Sequence, residues 1–134
     1  MLYHGSTKPG LKMLKPFPRK EMGDKPFVFA SDDRRFALAM IHGTNADFSV
    51  GYMVSESTRS ETMYMREERE GGFTILNDPG FLYEVENTGF TQDQRLSHRE
   101  FISPNEAPVI KETPIANVLN ELKKSDILFT PFST

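Results

Sequence analysis

Pro26-Phe27-Val28-Phe29-Ala30-Ser31-Asp32-Asp33 joins an aromatic, β-branched run directly to a helix-start signal. Side chains of this kind fit the pleated, half-buried surface of a strand. Ser31, Asp32 and Asp33 then supply an N-cap and an acidic first turn for a helix over 34–41. Within that helix Phe36, Ala37, Met40 and Ile41 fall on one face, so it packs on a sheet, and His42-Gly43 closes it. A strand running straight into a helix sets Ser31 and the unpaired N–H groups of the first helical turn at a strand end, where anions and amides bind well. The plainer alternative is that Ser31 merely caps the helix.

Upstream, Leu2 to His4 reads as a short strand broken by Gly5-Ser6, followed by a Lys8-Pro9-Gly10 turn and the apolar Leu11, Met13 and Leu14. Residues 15–26 carry Pro16, Pro18, Gly23 and Pro26 among charges, a composition that predicts an exposed, mobile loop. Downstream, short strands are predicted at 48–54, 62–66, 73–76, 81–86, 100–103 and 109–112. Glu70-Gly71-Gly72 and Asn77-Asp78-Pro79-Gly80 are turn signals whose spacing suggests antiparallel hairpins. Residues 87–99 are polar and read as loop. Thr113-Pro114 predicts an N-cap with proline at the first helical position, opening a helix whose stripe is Ile115, Val118, Leu119 and Leu122 and which ends near Lys123-Lys124. Ile127-Leu128-Phe129 fits an edge strand. The expected class is α+β, a mostly antiparallel sheet with two or three short helices, in a single domain over 1–134.

A chain of 134 residues buries roughly two-thirds of its unfolded surface and holds a core without staples. With no cysteine, disulfides, thiolate metal sites and cysteine nucleophiles are excluded. Eleven Phe and seven Met, with no Trp, predict an interior of aromatic and unbranched side chains. The net charge of −3 and the absence of a long basic run give no nucleic-acid signal. Lys8, Lys12, Lys15, Arg19, Lys20 and Lys25 make the N-terminal segment positive, an edge that attracts anions locally. No stretch approaches the roughly 18 apolar residues of a membrane span, and the first residues lack a signal-peptide pattern, so no membrane partner and a cytoplasmic location are expected. His42 and His98 form no metal-ligand spacing with carboxylates, and no metal is expected.

Three segments carry chemistry. Tyr3-His4-Gly5-Ser6 ends the first strand, where glycine allows a ligand close to the backbone while imidazole and hydroxyl offer hydrogen bonds. Ser31 follows the second strand. Glu100 opens the otherwise apolar Phe101-Ile102-Ser103, a place from which a carboxylate could accept a ribose hydroxyl and stabilise positive charge on a sugar ring. The plainer alternatives are a histidine beside a turn and an edge glutamate paired with Arg95 or Arg99.

In this order the three segments resemble the ADP-ribosyltransferase superfamily, in particular its His-Tyr-Glu branch that includes the poly-ADP-ribose polymerases. The matching positions are His4-Gly5-Ser6, Val28-Phe29-Ala30-Ser31 with Ala37, and Glu100-Phe101. The resemblance implies a split sheet and NAD as substrate. It implies catalysis by Glu100 with His4, and NAD held by His4, Gly5, Ser6, Phe29, Ala30, Ser31 and Phe36. His4 would bond the adenosine ribose, while Gly5 and Ser31 would clamp the nicotinamide amide. Glu100 would bind the nicotinamide ribose and stabilise the oxocarbenium-like transition state. The family's two tyrosines correspond to Val28 and about Ala39, leaving Phe29, Phe36 or Tyr52 to substitute.

The expected function is therefore ADP-ribosyl transfer to an unknown acceptor, or NAD glycohydrolysis. One alternative is a non-catalytic module binding a nucleotide or a protein, of the accessory kind found in phages and mobile elements. Another is an RNA 2′-phosphotransferase-like enzyme, for which Arg34 and Arg35 are the candidate phosphate ligands.

Overall fold

The computed structural model of the chain describes residues 1–133, and its class is α+β with mostly antiparallel sheets and two short helices. The principal sheet contains β1 (Leu2–Ser6), β3 (Phe17–Pro18), β4 (Pro26–Ser31), β7 (Gly80–Val85), β8 (Glu100–Ser103) and β10 (Lys111–Ile115), ordered β10-β7-β1-β4-β3 with β8 also paired to β4. A second sheet, ordered β11-β6-β5, consists of β5 (Phe48–Val54), β6 (Glu61–Glu67) and β11 (Ile127–Thr130). A small ribbon joins β2 (Met13–Leu14) to β9 (Ala107–Pro108).

The helices α1 (Arg34–Ala39) and α2 (Val118–Lys123) contribute to one hydrophobic cluster with β5, β6 and residues of the principal sheet. Leu38, Ala39, Met63, Met65, Leu76, Val118 and Leu122 are fully buried there. On the other face of the principal sheet, Leu2, Leu14, Val28, Ala30, Tyr83 and Val85 form a second cluster under the β2–β9 ribbon. Period-two alternation along β4 accounts for the division. Val28 and Ala30 enter the second cluster, whereas Phe27 and Phe29 point the other way and pack with Met22 and Ile102.

One feature of the topology positions the site. β1 pairs with β4 only where Tyr3 faces Ser31, while it follows β7 along its whole length. β4 is occupied on its other edge by β8 from Val28 to Ser31. β1 therefore leaves the rest of β4 unpaired on their shared edge, and β3 pairs with β4 further back, at Pro26 and Phe27. The sheet is split at that point.

The structure corrects several expectations. Residues 15–26 are mostly exposed, as expected, but are not all loop: they hold β3 and a 3-10 turn, Lys20–Met22, whose Met22 is 2 % exposed. Burying a methionine is worth roughly 1.5–3 kcal/mol, enough to tether so short a segment. Residues 73–76 form no strand, because Thr74–Asn77 winds into a 3-10 turn that buries Leu76. Thr113 and Pro114 do not start a helix. They lie in β10, an edge strand where a missing N–H is tolerated, and α2 begins after Asn117, whose side chain accepts from the Asn120 N–H. The first helix ends at Ala39 rather than Ile41, and its N-cap is Asp33. Between 47 and 113 the expected run of antiparallel hairpins reduces to β5–β6; β7 leaves its chain neighbours to pair with β1 and β10. No helix among the described residues is long and apolar enough to cross a membrane.

Candidate functional site

The split in the sheet opens into a cavity of about 240 Å³ lined by Tyr3, His4 and Gly5 of β1, Phe29, Ala30 and Ser31 of β4, Phe36, Ala37 and Met40 from the α1 segment, Phe17, Arg19 and Glu100. Of the residues singled out in the sequence, His4, Gly5, Phe29, Ala30, Ser31, Phe36 and Glu100 meet here. Ser6 does not; it lines the adjoining groove and accepts from the Lys8 N–H at 3.1 Å.

His4 spans the split. Its Nδ1 lies 2.6 Å from the Phe29 carbonyl oxygen. A carbonyl only accepts, so Nδ1 carries the proton and Nε2 of the neutral ring remains an acceptor. The imidazole thus satisfies a backbone group that a continuous β1–β4 ladder would have satisfied. Burial is the main influence on the ring and lowers its pKa, against the opposing effect of the Phe29 bond.

Ser31 and Glu100 face each other across β4 and β8, with Tyr3 opposite Ser31 on the other side, so one row of the sheet reads Tyr3, Ser31, Glu100. Ser31 is 2 % exposed, and its Oγ accepts from the Asp33 N–H at 3.0 Å. It therefore shapes the strand-to-helix turn while Asp33 performs the capping. Gly5 has a structural reason of its own: a Cβ there would overlap the Ala37 carbonyl oxygen and come within 2.7 Å of Ile41 Cγ1. Its bare backbone is what lets α1 lie close against β1.

Glu100 is 8 % exposed, and burial raises its pKa, partly offset by Arg19. The Arg19 Nη1 stands 3.4 Å from Glu100 Oε2, and its Nη2 is 2.5 Å from Glu21 Oε1. The same guanidinium lies over the Phe29 ring, 4.2 Å from its centroid, and Phe17 packs on Phe29 at 5.2 Å. Arg19 and Phe17 were missed in the sequence as site residues because they belong to the stretch read as a mobile loop. The signal was present in Phe17 and Met22, two large apolar side chains in a segment otherwise of prolines and charges.

A polar network holds the walls. Tyr52 stacks on Phe36 with ring centroids 6.2 Å apart and donates to Asp33 Oδ2 at 2.9 Å. Although burial opposes it, the ionised Asp33 is favoured by Arg35 and Tyr52. Arg99 Nη2 binds Glu61 Oε2 at 2.8 Å and fixes the residue before Glu100. The two positions that replace the expected tyrosines do not face this cavity: Val28 and Ala39 are buried in the clusters on opposite sides of the sheet. The apolar walls come instead from Phe17, Phe29, Phe36 and Met40. Arg34 and Arg35 are turned elsewhere. Arg35 is held by Asp33 and donates to the Asp126 carbonyl, and Arg34 approaches Glu121 at 3.9 Å.

Two grooves adjoin the cavity. One, of about 620 Å³, shares His4, Gly5, Phe17 and Met40 with it and adds Ser6, Thr7, Lys8 and Lys15. The other shares Arg19, Phe36, Met40 and Glu100 and adds Glu21, Arg95 and Ser97. Among the described residues no group of His, Asp and Glu is arranged to hold a metal ion.

Comparison of the chain with protein-family models, with curated proteins and with solved structures yields no match. Any reading of the site therefore rests on its own chemistry.

Proposed function

We propose that this cleft binds NAD and that the protein breaks the bond between nicotinamide and ribose, passing ADP-ribose to an acceptor or to water. The observation that carries the reading is the convergence of His4, Ser31 and Glu100 on one split in a sheet, from three distant parts of the chain. Phe29 and Phe36 give the cleft aromatic walls suited to a planar ring, and the neutral His4 Nε2 is suited to accept from a ribose hydroxyl. The adjoining groove with Lys8, Lys15, Ser6 and Thr7 has the charge and hydroxyls for a phosphate-bearing portion.

In this reading the C–N glycosidic bond breaks with its electron pair going to the pyridinium nitrogen, and nicotinamide leaves neutral. The ribose ring is left cationic, and the ionised Glu100 stabilises that charge in a site where low polarity strengthens the attraction. The acceptor then adds to the anomeric carbon and gives up its proton. Glu100→Gln keeps the shape but removes the charge, so release of nicotinamide from NAD is expected to fall by about a hundredfold or more with the fold intact. Undiminished release by that variant would remove Glu100 from the mechanism.

A second reading is a binding module without turnover, favoured by the pairing of Glu100 with Arg19. It differs in a measurable way: calorimetry would then show NAD binding with no nicotinamide released over hours, and Glu100→Gln would leave the affinity nearly unchanged.

A further inference from the structure

Arg19 occupies its cavity in a way that describes a ligand. A guanidinium is flat, cationic and weakly hydrated, and it takes both aromatic stacking and carboxylate contacts. Here one lies over the Phe29 ring, with Phe17 packed on that ring from the neighbouring segment, and reaches Glu100 Oε2 on the wall. Glu100 is nearly buried, and Arg19 is the cation within salt-bridge distance of it. A buried carboxylate beside an aromatic face is a poor place for a neutral or anionic group and a good one for a flat cation.

We propose that the space bounded by Phe17, Phe29 and Glu100 is a subsite for a planar organic cation, and that Arg19 fills it in the resting protein as a built-in plug. The cleft is the one assigned above to NAD, whose nicotinamide is itself a planar cation; the subsite rests on that reading only for the identity of its natural occupant. The plug has somewhere to go. Arg19 is held a second time by Glu21, on the rim of the neighbouring groove, where Arg95 and Ser97 also lie. Release from Glu100 therefore leaves the guanidinium charge paired. Met22, buried 3 residues further on, keeps the segment anchored while the side chain moves.

The test removes the plug and offers cations in its place. Arg19→Ala, with Arg19→Gln as a second variant that keeps more of the side chain's bulk, is titrated calorimetrically with 1-methylnicotinamide and with methylguanidinium. Neutral nicotinamide serves as control, and circular dichroism monitors the fold. Both cations are expected to bind the unplugged variants roughly tenfold or more tightly than the parent, and nicotinamide is not. Adding Glu100→Gln to either variant should abolish the gain. Equal affinity of parent and variants for the cations, or a gain shared equally by neutral nicotinamide, would overturn the subsite. Because 1-methylnicotinamide has no ribose to lose, its binding is read without turnover. Cation binding in a protein that never cleaves NAD would retire the enzymatic reading and leave the subsite standing.

Discussion

Glu100 is held at a cost to the fold. Because burial raises its carboxyl pKa in the folded chain, ionisation weakens folding, and the loss grows as pH rises through that raised value. Below the unfolded value near 4.5 the group is protonated in both states and the cost disappears. Glu100→Gln should therefore be at least as stable as the parent at neutral pH, and that advantage should close by about pH 4. Urea melts of the two proteins at both pH values would check this; a variant markedly less stable at neutral pH would mean that the Arg19 pair outweighs the burial. A residue that destabilises its own fold is more readily explained by chemistry than by architecture. Ser31 and Gly5 contrast with it, since the Asp33 N–H and the approach of α1 already account for them.

Among the elements, α1 and the 15–26 segment decide the shape of the cavity. The helix is only Arg34–Ala39, far too short to persist alone, so its place depends on packing. Gly5 and Gly80 both lie where an added Cβ would meet Ile41 just beyond it, with Ala37 also crowding Gly5. Gly5→Ala should push the helix outward and destabilise the protein by about 1–3 kcal/mol, measured by denaturant melts, with any ligand affinity falling alongside. Unchanged stability would show that α1 shifts freely and that its contact with β1 does not define the cleft. The opposite wall rests on Met22, which makes an apparently irregular stretch an ordered part of the site.

At the scale of the whole molecule, the site is built from pairings remote in sequence. β1 binds β7, β4 binds β8, and the C-terminal β11 runs parallel to β6. Such contacts close large loops before they return any energy, which slows folding. Stopped-flow refolding is expected to take milliseconds to seconds, as for domains dominated by non-local strand pairing, rather than the microseconds of helical bundles. A microsecond phase carrying the full amplitude would contradict the topology.

The sequence by itself determined the elements whose signals are local. The aromatic run into Ser31-Asp32-Asp33 specified the β4–α1 junction, and 48–54 and 100–103 matched β5 and β8 because their side chains and bounding turns agree. The succession of short strand, turn and helix signals set the α+β class, and the order of His4, Ser31 and Glu100 named residues that meet in one cavity. Tertiary structure decided where local signals conflict or vanish. Thr113-Pro114 carries a helix-start signal, but pairing with β7 outweighs it, since an edge strand loses little by lacking one N–H. Residues 15–26 read as loop because the short elements there rest on one buried methionine and on charges paired across the chain. The split itself leaves no mark in the sequence: it exists because β1 parts from β4 after a single pair, and a histidine ring takes up the backbone carbonyl left unpaired.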